Sequence, residues 1–280
     1  MSGRVTYNAF STLVAATRSR LLHINRYPGL LLAEIFVPII HAMMPILLGR
    51  AIAGDDAGAN FARNTGTANY VAYLLIGSNT FIIINRAFWD IGYWLRFEQE
   101  TGTLEAIYLT PSSSLILAAG VALYSAARGF IAGLLAYIIG CIGFRVNPFQ
   151  GEVLLALLFT LVGLVPVYAM ALLFSALVLR VKEAHQLLAV VQWGVSFLVG
   201  VYFPIHVLPR FFRVLALLFP PTWMIDSVRS AILGTGYFFQ TWYLNLAVLW
   251  AFMLLVPLLS ISVFHRVESG LRRNQGLGGY

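Results

Sequence analysis

Lysine occurs once in this 280-residue chain, at position 182, and cysteine once, at position 141. Each scarcity excludes something. A phosphate loop of the form G-x-x-x-x-G-K-[ST] needs a lysine to reach the phosphates. The one lysine follows Val181 rather than a glycine, so the chain has no loop of that kind and no cofactor is expected in it. Cys141 sits inside an apolar run, where it packs and cannot form an internal disulfide. His23, His41, His185, His206 and His265 are scattered, with no Cys/His cluster at metal-ligand spacing. No H-E-x-x-H pair is present, and Gly77-Ser78 is not a nucleophile elbow; Gly77 instead lets a neighbouring helix approach closely. An enzyme is therefore not expected. Charge is scarce too. Only 10% of the residues are charged, against roughly 25% in a soluble domain.

What fills the chain is apolar. Hydrophobic residues make up 60% of it, in continuous runs about twice the length of a β-barrel strand. A helix needs about twenty apolar residues to cross the hydrocarbon core. Six such runs stand out, at about 30–50, 70–94, 115–144, 153–179, 187–204 and 242–264. The fold class expected is an all-α polytopic membrane protein with six transmembrane helices, read as one domain over 1–280.

Residues 1–28 differ. Phe10, Leu13, Val14 and Leu21 fall near helical spacing, with Arg18 and Arg20 outside that stripe. This predicts an amphipathic helix on the membrane surface. A cleaved signal peptide is the rival reading, from Ala51-Ile52-Ala53, but Glu34 and His41 interrupt its apolar core. The net charge of +7 is arginine in loops and tails, which suits an anionic inner leaflet rather than nucleic acid. Arg4, Arg18, Arg20 and Arg26 place the N-terminus in the cytoplasm, and Arg266, Arg272 and Arg273 place the C-terminus there too. The loop at 180–186 and the stretch at 95–114 then lie on the same side.

That stretch contains "FEQETGTLEAIYLTPSS", residues 97–113, the most orderly polar segment in the chain. Gly102 breaks a helix and Thr103 can cap a new one, with Glu105 in its first turn where the macrodipole favours an anion. Leu104, Ile107 and Tyr108 form one apolar stripe, and Pro111 ends the helix at Thr110. Two readings stand: a short helix made to dock on a partner, or a well-capped loop. A second unusual region is "GVYFPIHVLPRFFRVLALLFPPTWMIDSVRSAIL", residues 200–233. Its "RFFRVLALLF" is apolar, too short to span and bracketed by prolines. It reads as a helix that dips into the outer leaflet and returns, or as a helix lying on the outer surface.

Both stretches resemble those of ABC-2-type permeases, the membrane subunits of one class of ATP-binding-cassette exporters. In the first, the matching positions are Glu98 or Glu100, Gly102-Thr103, Leu104-Glu105 and Thr110-Pro111. In the second they are Phe203-Pro204, Leu208-Pro209, Pro221-Thr222 and Asp226 to Arg229. The resemblance implies an ATPase-coupling helix carried by Glu98, Glu100, Gly102, Thr103, Leu104, Glu105, Tyr108 and Pro111. It also implies a re-entrant outer gate within 204–241, carried by Pro204, Pro209, Phe212, Pro220 and Pro221. The partners it implies are cytosolic ABC ATPase subunits, which bind the ATP and Mg, and a second permease copy or paralogue, in the cell membrane.

Four ionisable residues fall within the spans: Glu34, Arg86, Asp90 and Arg128. Arg86 and Asp90 are one helical turn apart and can pair, and Arg128 is expected at the depth of Glu34 and Asp90. They form either a charged inner vestibule or a structural ion-pair network. The alternative function is an ATP-independent secondary transporter or channel that uses these groups. Asn79, Asn85 and Gln192 either line a path or bond between helices. The apolar spans suggest a hydrophobic or amphipathic cargo: a drug, a lipid or a lipid-linked glycan.

Overall fold

The structure, a computed structural model, describes residues 9–24, 28–104, 107, 113–178, 181 and 184–274. Among these the chain is helical, with no strand. Helix α1 runs Ala9–Ile24, α2 Pro28–Ala53, α3 Ala57–Thr65 and α4 Tyr70–Ala87. A π-helical turn at Phe88–Gly92 joins α4 to α5, Trp94–Glu100. Then come α6, Ser114–Gly143; α7, Val153–Val178; α8, Ala184–Leu198; α9, Arg210–Leu217; α10, Pro220–Leu233; and α11, Trp242–Asn274. Among the described residues, five helical segments are long and apolar enough to cross a membrane, or six if α9 and α10 together count as one.

Burial sorts these helices. In α4, 72% of the most apolar window is buried, against 17% in α2 and 11% in α11. Helices α4, α7 and α10 therefore make the centre, where Ile84, Phe159, Val167, Ala171 and Met224 are fully enclosed. Small residues on α6 let it press against α4: a Cβ on Gly133 would meet Ile83 at 2.6 Å, and one on Gly140 would meet Leu75 at 3.1 Å. This is the small-residue packing by which membrane helices approach. Helix α11 lies along α7, tied by the Ser260 hydroxyl donating to the Ala169 carbonyl at 2.6 Å. The apolar surfaces left exposed include Leu32, Phe36 and Met44 on α2 and Leu254, Leu258 and Leu259 on α11.

Helix α1 is not free of the bundle. It crosses the start of α6 at Gly120, where a Cβ would meet Ala16 at 2.7 Å, and the Thr17 hydroxyl donates to the Gly120 carbonyl at 3.1 Å. Phe10, Val14 and Leu21 of its apolar stripe remain exposed.

The stretch 51–69, between the first two apolar runs, contains α3, closed by Gly66 in the left-handed region at φ 75°. The fifth expected span, 187–204, is α8, whose 15 residues rise roughly 22 Å, less than the hydrocarbon core of about 30 Å. The helix stops at Leu198 because Gly200 turns to φ 74° and the Gly200 and Val201 carbonyls bind Arg229. In the 200–233 stretch, helix α9 exposes Phe211, Phe212, Val214 and Leu218 in the single chain, while α10, turned 88° from it, is buried almost throughout.

Candidate functional site

The helical run through α4, the π turn and α5 ends at Gly102, whose φ of 73° suits glycine. There the chain folds back on itself: the Thr103 amide donates to the Glu98 carbonyl at 2.9 Å, and the Ile107 amide donates to the Thr103 carbonyl at 3.1 Å. Glu98 is the hub. Its Oε1 accepts from Arg20 Nη2 at 2.8 Å and from Trp94 Nε1 at 3.0 Å, and its Oε2 accepts from the Thr103 hydroxyl at 2.5 Å. One carboxylate thus binds α1, α5 and the start of the next turn. Glu100 points outward, accepting from Arg96 Nε at 3.0 Å and from the Tyr93 hydroxyl at 2.5 Å. That hydrogen bond, with partial burial, holds the Tyr93 phenol above its ordinary pKa. Leu104 is buried in the main core and Ile107 packs against it, so Leu104 anchors the segment and offers no surface to a partner. Glu105, Tyr108, Thr110 and Pro111 lie outside the described residues.

Deeper in, Glu34, Arg86, Asp90 and Arg128 meet from three helices and the π turn. Arg86 Nη1 lies 2.6 Å from Glu34 Oε1, and Arg128 Nη2 pairs with the same oxygen. Arg86 Nε lies 3.1 Å from Asp90 Oδ2. Asp90 also accepts from the Ser125 hydroxyl at 2.5 Å, and Ser125 bonds to the Tyr168 hydroxyl at 2.7 Å. Two carboxylates face two guanidiniums, so the cluster is neutral as a whole. Gly129 makes room for it: a Cβ there would sit 3.1 Å from Arg86 Cδ. The π turn aims Asp90, and Trp89 beside it donates to Gln192 Oε1 of α8 at 3.0 Å. Gln192 therefore bonds between helices. Among the described residues, Asn79 Oδ1 is buried without a partner.

At the opposite end, Pro204 precedes a 3-10 turn at Ile205–Val207 and Pro209 caps α9. Pro220 and Pro221 open α10 and are buried; Phe212 is 49% exposed and stacks edge-on with Phe211. Arg229, 5% exposed, donates from Nη1 to the Gly200 carbonyl at 3.1 Å and from Nη2 to the Val201 carbonyl at 2.8 Å. Its guanidinium lies 3.6 Å above the Tyr73 ring. A Cβ on Gly77 would run into both Arg229 Nη2 and the Val201 carbonyl. Gly77 is where α4, α10 and the 200–201 turn converge. Asp226 accepts from Asn245 Nδ2 at 3.2 Å, binding α10 to α11. Burial, then the nearby Glu152 and Asp226 carboxylates, push the Tyr237 phenol up to about 12.

Sequence reasoning singled out the four intramembrane charges, Glu98 and the Asp226–Arg229 pair. It missed the π turn and the partners Ser125, Tyr168 and Tyr73, which have no local signature. Arg20 was noted as a basic residue outside an apolar stripe and as an orientation signal, not as a partner of Glu98.

No curated protein sequence matches the chain. The ABC-2 type transporter family matches residues 11–233, from α1 to the last residue of α10. With its several apolar helices, the chain is a multi-pass membrane protein, a permease of an ABC transporter whose family works with ABC ATPases. Matched over well over half its length, the chain belongs to the ABC-2 type transporter family.

Proposed function

We propose that this chain is the membrane half of an ATP-driven exporter, coupled to its ATPase subunits through residues 98–110. The hub at Glu98 is the observation that carries this reading. A push on the segment after Gly102 passes through Thr103 to Glu98, and from there to Arg20 on α1 and Trp94 on α5. Since α5 continues α4 through the π turn, the same push reaches the central helix. Rigid elements joined at one ion pair move together. ATP and Mg belong to the partner subunits, and this chain hydrolyses nothing itself.

Two copies, or this chain and a paralogue, enclose the path, in the cell membrane with both termini cytoplasmic. The exposed apolar faces of α2 and α11 suit lipid or the second copy. Residues 204–233 act as a re-entrant outer gate, a role supported by the 88° break between α9 and α10 and by the burial of α10. The cargo is hydrophobic or amphipathic and moves outward. The neutral pairing of Glu34 and Asp90 with Arg86 and Arg128 favours a structural network over the coupling site of a secondary transporter.

The test is co-purification with the ABC ATPase and measurement of cargo-stimulated ATP turnover. Glu105→Arg and Gly102→Pro are expected to uncouple or release the ATPase while the spans stay folded. Full stimulated turnover in both variants would overturn the coupling role.

A further inference from the structure

The end of the molecule away from Glu98 holds a half-enclosed cavity of about 450 Å³. Its walls are the end of α3, the turn at 205–206, one face of α10 and the loop after α10. Two buried polar atoms among its lining residues have no partner among the described residues: Thr222 Oγ1, on a side chain 1% exposed, and Arg229 Nε. Asp226 lies one turn beyond Thr222 on the same face of α10 and is only partly buried. It accepts from Asn245, yet among the described residues it forms no ion pair. The neighbouring guanidinium of Arg229 is committed elsewhere, to the carbonyls of Gly200 and Val201 and to the Tyr73 ring.

Charge of both signs lines the cavity. Asp226 and Arg229 stand on its α10 wall, with the buried Thr222 hydroxyl one turn before Asp226. Arg63 and His206, both exposed, stand at the rim. Tyr237 and Phe238 line the side. A ligand with a donor-rich cation at one end and an anion at the other matches this mixture of charges. An ammonium has three donors and no acceptor, which suits Asp226 and Thr222 together, and aromatic walls favour it further. A phosphate suits the arginine at the rim. A simple anion would leave Asp226 without a counter-charge, and a simple cation would face both Arg63 and Arg229.

We propose that this cavity binds a phosphoammonium group, the chemistry shared by a zwitterionic lipid headgroup and free phosphoethanolamine. The site needs neither the ATPase nor a working gate, so it stands or falls apart from the exporter reading. Occupancy would tie the end of α3 and the 205–206 turn to α10.

The experiment uses the purified full chain, first in detergent with phosphoethanolamine, or with phosphoglycerol as the amine-free control, followed by calorimetry. Phosphoethanolamine is expected to bind saturably and phosphoglycerol not. Asp226→Asn and Arg63→Glu should each weaken binding about tenfold or more, the loss of one hydrogen bond to a charged group. Arg63 is exposed and its replacement leaves the fold intact, so Arg63→Glu decides alone if Asp226→Asn does not fold. In nanodiscs, native mass spectrometry then compares retained phosphatidylethanolamine with phosphatidylglycerol. Selective retention that Arg63→Glu abolishes assigns the group to a lipid; binding of the free compound alone assigns it to a soluble ligand. Equal binding of phosphoglycerol, affinities unchanged in Arg63→Glu, or no binding of either form would overturn the proposal.

Discussion

Arg20 Nη2 lies 2.8 Å from Oε1 of Glu98, joining α1 to the far end of the α4–α5 run. The side chains are 30% and 16% exposed, so the pair is worth about 1 kcal/mol or less to stability. Its role in coupling is separable from that. Arg20→Ala and Glu98→Gln should each lower thermal stability only slightly and lower cargo-stimulated ATP turnover several-fold. In a double-mutant cycle on turnover the two should be strongly non-additive. Additive effects would mean that α1 and the 98–103 segment act independently.

Glu34 carries a heavier burden, because one of its oxygens faces both Arg86 and Arg128. Glu34→Gln leaves Arg86 its second partner, Asp90, but leaves Arg128 with no carboxylate. Breaking a buried pair from one side costs about 3–5 kcal/mol, because the remaining charge is uncompensated. Arg128→Met should cost less, since Glu34 keeps Arg86. Combining the two should recover much of the Glu34→Gln loss. Denaturant unfolding in mild detergent reads all three, and equal small losses throughout would mean that the cluster is hydrated.

These charges were legible in the sequence because charge is so rare in it. Each ionisable residue in an apolar run stands out, and the spacing of Arg86 and Asp90 announces a pair. Glu34 and Arg128 could be placed at one depth from span lengths alone. What could not be read depends on distant partners. "FWDIG" at 88–92 has no feature that requires a π turn. Helix α8 stops early because Arg229, about thirty residues later, takes the carbonyls of the following turn. The prolines at 204, 209, 220 and 221 fall at the turns on either side of α9 and at the start of α10. Which half is buried follows from the 88° turn and from Trp223 Nε1 donating to the Leu217 carbonyl at 2.8 Å. Helix α3 did have a local signal: Thr65 caps back onto the Phe61 carbonyl at 2.8 Å, and Gly66 follows at a left-handed C-cap.

If residues 204–233 gate the outer end, Phe212 lies on the moving surface. In the single chain it is 49% exposed beside Phe211, an apolar pair that water does not favour. With Cys141→Ala as background, Phe212→Cys should label poorly from outside at rest and faster during ATP turnover. Cross-linking it between two copies should stop transport while the ATPase stays bound. Cysteines at Asn60 and Gly236 should label from outside in all states and one at Gln275 should not. Constant full labelling of Phe212→Cys would return α9 to a surface helix.

Gly77 and Arg229 offer a test of how the outer end is held. An added Cβ at position 77 would meet two obstacles, the tip of Arg229 and the Val201 backbone carbonyl. A flexible side chain can move aside, but a carbonyl held by its own turn cannot do so cheaply. Gly77→Ala should therefore destabilise by about 1–3 kcal/mol, as overpacking does. Arg229→Lys removes the fork that serves the Gly200 and Val201 carbonyls together and weakens the stacking on Tyr73. It should loosen the 199–204 turn, read as faster protease cleavage there. The double variant separates the two obstacles. If the backbone carbonyl is the real barrier, shortening Arg229 gives no relief, and Gly77→Ala/Arg229→Lys should be less stable than either single variant. Recovery of the double variant to the level of Arg229→Lys alone would show that the guanidinium was the whole obstacle and that the 200–201 turn is free to shift.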